Sequence, residues 1–193
     1  LKRFAIKAAL WAAGLAPLGW MLWRGLHGRL GANPIEAITH ATGDWTLRLL
    51  LLTLAITPLR LLTGWNGVVR YRRLIGLFAF FYATLHLLTY VWLDKFFDFA
   101  DILRDIGQRR FVTAGMLAYF VLVPLAATST AAWIARLGGR RWRLLHRLAY
   151  VSAAAGVVHY FWLVKSDIRL PSLYGVVLVV LLLGRIRHRG GAL

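Results

Sequence analysis

The stretch RRLIGLFAFFYATLHLLTYVWLD, residues 72–94, decides the fold. It opens on two arginines and closes on Asp94, and the only other strongly polar ionisable side chain within it is His86. An apolar run of this length, wound as a helix rising 1.5 Å per residue, crosses the roughly 30 Å hydrocarbon layer of a bilayer. The segment Leu74–Leu93 therefore reads as a membrane span. A histidine in such a span is costly to place and marks a functional site by default.

Working outward, five more spans can be drawn: Ala8–Trp23, Trp45–Leu62, Phe111–Ala135, Leu148–Val164 and Leu170–Gly184. Lys2 to Trp23 has the basic start of a signal peptide, but it lacks a convincing small-residue cleavage site, so it reads as a retained helix. Tryptophans gather near the span ends, Trp23, Trp45, Trp65 and Trp92 among them, as in an interfacial aromatic belt. With 60% hydrophobic residues in 193, the chain is predicted to be all-α: a polytopic membrane helix bundle of six transmembrane helices in one domain.

The net charge is +17, which in a soluble chain would suggest nucleic acid. Here the charges lie between apolar spans. One side of the six-span arrangement carries Lys2, Arg3, Lys7, Arg60, Arg70, Arg72, Arg73, Arg136, Arg140, Arg141, Arg143, Arg147, Arg185, Arg187 and Arg189, with no acid. The other carries eight bases and all seven acids, Glu36, Asp44, Asp94, Asp98, Asp101, Asp105 and Asp167. The positive-inside rule then puts both termini in the cytoplasm. An odd number of spans would scramble this separation.

The chain has no cysteine, which excludes thiol chemistry, iron–sulfur ligation and covalently attached c-type heme. It has no G-x-G-x-x-G after a strand and no P-loop. Nicotinamide cofactors have no domain of their own here, so electrons would come from a quinol or a separate cytoplasmic reductase.

Three histidines lie in or at the spans. His86 falls about 12 residues into the third span and His159 about 11 into the fifth, counted along the helix. These two spans run in the same direction, so both imidazoles sit at one depth, nearer the outer face, where they can clamp one b-type heme. His146 opens the fifth span, roughly 20 Å lower at 1.5 Å per residue, where it can ligate a second heme or simply sit at the interface among arginines. Fourteen residues before His86 stands Arg72, where a histidine would complete a four-histidine set. A guanidinium lacks a free donor pair, so Arg72 reads as an anion partner for a propionate or phosphate rather than as an iron ligand. Arg48 and Arg60, near the outer and inner ends of the second span, are candidate propionate partners; Asp44 and Arg48 can also form a helical ion pair. Lys165 and Arg109–Arg110 are further outer-face candidates. A membrane histidine can instead only hydrogen-bond a neighbouring helix. His27 and His40 in the first outer loop and His188 in the tail read as solvated, and Gly14, Gly76, Gly115 and Gly156 as helix-packing sites.

The segments TGDWTLRLLLLTLAITPLR at 42–60, RRLIGL at 72–77 with LHL at 85–87, and LHRLAY at 145–150 with HY at 159–160 resemble the MsrQ (YedZ) family. That family lies within the ferric-reductase-like transmembrane superfamily, and the resemblance covers nearly all of 1–193. It implies a heme-binding inner-membrane subunit, with FMN also bound. Electrons would pass from quinol or a cytoplasmic flavin reductase to a periplasmic molybdopterin-containing MsrP-like reductase that repairs methionine sulfoxide. The departure of Arg72 from the superfamily's histidine bears on the second heme. Two other readings share the same residues: a transmembrane ferric reductase, and a heme-free membrane transporter or assembly factor.

Overall fold

The computed structural model describes the backbone of residues 2–190 and the side chains of 4–185; His188, Arg187, Arg189, Lys2 and Arg3 lie outside the described side chains. Its order is α1 (Lys2–Leu26), α2 (Pro34–Thr63), a 3-10 turn (Asn66–Tyr71), α3 (Arg72–Leu88), a π-helical turn (Thr89–Asp94), α4 (Phe99–Gln108), α5 (Arg110–Ala127), α6 (Ala131–Leu145), α7 (Leu148–Leu163) and α8 (Arg169–Gly190). Four stretches are long and apolar enough to cross a membrane: Phe4–Leu26, Pro34–Thr63, Asn66–Asp94 and Arg110–Ala127. Helix α7 is apolar but shorter. The chain is a multi-pass membrane protein built from helices.

Several boundaries differ from the sequence expectation for local reasons. Helix α2 begins eleven residues before Trp45, because Asn33 caps it: the Asn33 side chain accepts the Glu36 N–H at 3.2 Å and donates back to the Glu36 carboxylate at 3.1 Å, with Pro34 in the first turn. His40 therefore stands on a helix rather than in a loop. The span expected to run to Ala135 stops at Ala127. The hydroxyls of Thr128 and Ser129 fold back onto the carbonyls of Pro124 and Leu125 (2.6 and 2.7 Å), and Thr130 caps a new helix through the Trp133 N–H. That helix, α6, carries Arg136, Arg140, Arg141 and Arg143, has no buried residue, and is bent at Gly138, whose φ is 72°. It forms a basic surface element. Residues 99–108, expected as part of a loop, form the amphipathic α4, capped by Asp98.

The core is a bundle in which α2 packs most extensively on α3, and α5 on α7, with α8 closing against α2 and α7. Leu50, Leu54, Ala79, Tyr82 and Ala153 lie at its centre. Proline has no N–H, so Pro58 leaves the Leu54 carbonyl without its usual helical donor. The Arg185 guanidinium on α8 donates to that carbonyl and stacks over Tyr150 at 4.8 Å.

Helix α1 joins through a comparable device. The Tyr82 hydroxyl on α3 accepts the Leu18 N–H (3.1 Å) and donates to the Gly14 carbonyl (2.7 Å), two groups that would pair in an uninterrupted helix. Pro17 disturbs the same turn. Gly14 has no Cβ to collide with the Phe78 ring, which would stand 2.5 Å from one. Tyr82→Phe should cost about 1–3 kcal/mol, the usual penalty for stranding buried polar groups, read as a lower midpoint of thermal unfolding in detergent. An unchanged midpoint would show that the α1 ladder recloses on itself.

Candidate functional site

Helices α2, α3, α5 and α7 enclose a cavity of about 570 Å³ that His86 and His159 both line. This lies within the range of small-molecule and cofactor sites. The matched depth expected for the two histidines holds: their ring centres are 6.0 Å apart, with the rings at 83° to each other.

Each ring is fixed in the same way. The His86 Nδ1 lies 2.9 Å from the Thr39 carbonyl on α2, and the His159 Nδ1 lies 2.6 Å from the Phe111 carbonyl on α5. A carbonyl only accepts, so each Nδ1 carries the proton and each Nε2 keeps its lone pair. This is the tautomer, and the outer hydrogen bond, that metal-binding histidines use.

A glycine makes each bond accessible. Thr39 lies four residues before Gly43, and Phe111 four before Gly115. In a helix the side chain at the later position shields the earlier carbonyl from a neighbouring helix. A Cβ on Gly43 would lie 3.1 Å from His86 Cε1, and one on Gly115 would lie 2.7 Å from His159 Nδ1. The same unit is thus built twice: a glycine opens a helical carbonyl, and a histidine of the facing helix lies over it. Gly115 packs helices as expected, but its neighbour is the candidate ligand itself.

The arrangement can hold one metal atom between two imidazoles. Bonds of about 2 Å at each Nε2 put the ring centres roughly 6 Å apart. Two imidazoles would leave a bare ion under-coordinated; they would suffice for an iron whose other ligands a porphyrin supplies. One part of the cavity wall is apolar, with Leu47, Leu50, Ala83 and Leu122, and its mouth is polar, with His40, Asp44, Asp94 and Arg109.

The other expected residues are placed as follows. Arg48 does not line the cavity: it donates to the Tyr174 hydroxyl at 3.1 Å, pairs with Asp44 at 3.6 Å and lies over Trp45. Asp44 itself does line it. Arg60 lies in the last turn of α2, outside the cavity. His146 is not part of the fifth span. It sits in the turn between α6 and α7, its ring stacked on Trp142 at 3.8 Å, with Nδ1 3.1 Å from the Trp142 carbonyl and Nε2 3.4 Å from Ser129 Oγ. Burial pushes its pKa below the ordinary imidazole value, and the positive charge of Arg72 adds to this. Arg72, at the start of α3, is thus near enough for its charge to act on His146. His27 is exposed, its Nδ1 2.8 Å from the Trp23 carbonyl. His40 is exposed, faces Glu36 at 3.7 Å, and also lines the mouth of the cavity.

Fold and site together define a class. Residues 42–157 match the family described as ferric reductase like transmembrane component, and the chain belongs to that family. Among its relatives, the protein of Herminiimonas arsenicoxydans is 52% identical over 183 residues, covering 94% of this chain and 84% of that protein. Those of Caulobacter vibrioides and Rhodospirillum rubrum are each 50% identical, covering 92% and 95% of this chain and 84% and 90% of theirs. All three bear the name protein-methionine-sulfoxide reductase heme-binding subunit MsrQ.

Proposed function

We propose that this chain is the heme-binding membrane subunit of a methionine sulfoxide reductase system, a six-span b-type cytochrome of the bacterial inner membrane with both termini in the cytoplasm. It takes electrons from quinol or a cytoplasmic flavin reductase and delivers them to a periplasmic molybdopterin-containing reductase. The observation that carries this is the paired placement of His86 and His159, each turned by a backbone carbonyl to offer Nε2 to one shared cavity. The names of the relatives point the same way.

A bound heme supplies one-electron chemistry at a depth near the outer face. The protein's own part is to hold and tune it. His86 and His159 are the proposed axial ligands, and Thr39 and Phe111 make them more basic through Nδ1. His146 and Arg72 are proposed to serve an inner cofactor, His146 as its iron ligand and Arg72 as an anion partner. Arg48 and Arg60 are proposed to balance carboxylate charge at the two ends. FMN comes from the family resemblance, and the arginines of the inner face suit its phosphate.

Two measurements test this reading. The purified protein should give a reduced-minus-oxidised spectrum of low-spin b-type heme, and a reporter active only in the periplasm, fused after Leu193, should be silent. A protein that carries no heme after expression with ample heme supply refutes the cytochrome, and an active reporter refutes the orientation. A further prediction follows from the glycine cradle. Gly115→Ala, which puts a methyl group 2.7 Å from His159 Nδ1, should lower heme occupancy several-fold, whereas Gly76→Ala, with its nearest contact at 3.5 Å, should leave it unchanged. Equal occupancy in the two variants would show that the ring does not need the cradle.

A further inference from the structure

We propose that Arg109 is the cation that binds a heme propionate at the outer mouth of the cavity, and that buried Asp105 positions it there. The proposal rests on the heme reading above and adds a binding residue to it. Heme brings two carboxylates, and these belong at the polar mouth rather than against Leu47, Leu50 and Leu122. Among the described residues lining the cavity, Arg109 alone is an arginine or lysine; the charged groups beside it at the mouth are the acids Glu36, Asp44 and Asp94, with His40. Those acids repel a propionate, so Arg109 is where one can be paired. Of the outer-face cations that the sequence offers, Arg48 turns to Tyr174 and Asp44, and Lys165 does not line the cavity.

Arg109 is not a loose surface side chain. It is the residue at which α4 ends and α5 is capped, with extended backbone and no intervening loop. Its Nε pairs with Asp105 Oδ1 at 3.1 Å. Asp105 is 4% exposed and is also held by Lys95 (2.6 Å) and the Tyr90 hydroxyl (3.0 Å). Burial alone would raise the Asp105 pKa, but the bonds from Lys95 and Tyr90 and the charge of Arg109 outweigh it and hold the carboxyl below its ordinary value. The carboxylate therefore stays ionised and keeps the guanidinium in place. Lys95 also pairs with Asp101 at 2.5 Å, which ties the preceding turn to α4, and the Thr113 hydroxyl donates to the Ile106 carbonyl at 2.6 Å, which fastens α4 to α5. A guanidinium has five donors in a planar fork, so a bond at Nε leaves the terminal nitrogens to grip a second carboxylate. Arg109 lies four residues before Thr113 and six before Gly115, at the cap of the helix that also carries the carbonyl for His159. Ligand orientation and propionate pairing are thus built into one helical turn.

The test uses the full chain, heme-loaded in detergent. Heme content, midpoint potential and the rate of heme transfer to apomyoglobin are measured for Arg109→Ala, Arg109→Lys, Asp105→Asn and the double variant. A nearby cation favours the reduced heme, so Arg109→Ala should lower the potential and speed heme transfer several-fold. Arg109→Lys should recover most of the potential but only part of the retention, because the charge remains and the fork does not. Asp105→Asn should speed transfer as well, and the double variant should be no faster than Arg109→Ala alone, since both act through one contact. Arg104→Ala removes a charge from the same face, outside the cavity, and should change neither quantity. If Arg109→Ala does not fold, Arg109→Gln takes its place. Arg109 variants that match Arg104→Ala in both potential and transfer rate overturn the proposal, as do additive effects in the double variant. A wild-type protein without heme would instead overturn the reading on which it rests.

Discussion

Alanine at either His86 or His159 should abolish the outer low-spin heme signal. The two rings stand 6.0 Å apart across one cavity, and each has its Nδ1 committed to a carbonyl on a different helix. Neither can swing to cover for the other without giving up that bond. A single remaining imidazole would hold the iron from one side only, and a heme bound that way would lose the low-spin signal. The expected loss in each variant is therefore near complete, and the double variant should look like either single one. His27→Ala and His188→Ala should keep the signal; His27 is exposed and its ring is held by its own helix. The measurement is the low-temperature visible and EPR spectrum of each purified variant. Full retention of low-spin heme in both the His86 and the His159 variants would remove them as ligands.

The depth match of His86 and His159 was legible because it needs only a count of residues along two parallel spans. What could not be read was the face against which each ring lies. That depends on which helices pack together, and the key atoms are backbone carbonyls, which carry no sequence identity. Gly43 and Gly115 were the visible trace: a glycine in an apolar helix allows close approach, but nothing local says that a ring rather than a helix backbone approaches. Hydropathy also misplaced elements where hydroxyl residues decide. Thr128, Ser129 and Thr130 are mild enough to prolong an apolar window to Ala135, yet together they end one helix and cap the next. The reverse happened at Asn33-Pro34 and Asp98, where the caps were present in the sequence but the apolar run began later or never came. Arg48, Lys165 and Arg109–Arg110 are all candidate cations in the sequence, and nothing local ranks Arg109 above the others; the folding of α4 against α5 places it at the cavity.

His146→Ala should keep the outer heme yet slow its reduction by a cytoplasmic flavin reductase. His146 lies in the turn that precedes α7, and the eleven residues from Leu148 to His159 rise roughly 16 Å along the helix. Electron tunnelling falls steeply over such a distance, so an inner relay matters to a donor on the basic face and not to the integrity of the outer site. The ring is held in a fixed place: Trp142 stacks on it at 3.8 Å and accepts its Nδ1 bond, Ser129 Oγ lies 3.4 Å from Nε2, and the Leu125 carbonyl is a further backbone partner of the imidazole. Burial, with a smaller contribution from the charge of Arg72, disfavours a protonated His146 and so favours the neutral imidazole that metal binding needs. Dithionite, small enough to reach the outer heme directly, should reduce wild type and His146→Ala at the same rate. Arg72→Ala should act in the same direction as His146→Ala but more mildly, because it removes an anion partner and not the ligand. The measurement is the rate of heme reduction by each donor in each variant. A wild-type rate from the enzymatic donor in His146→Ala would mean that electrons reach the outer heme without an inner cofactor at this residue.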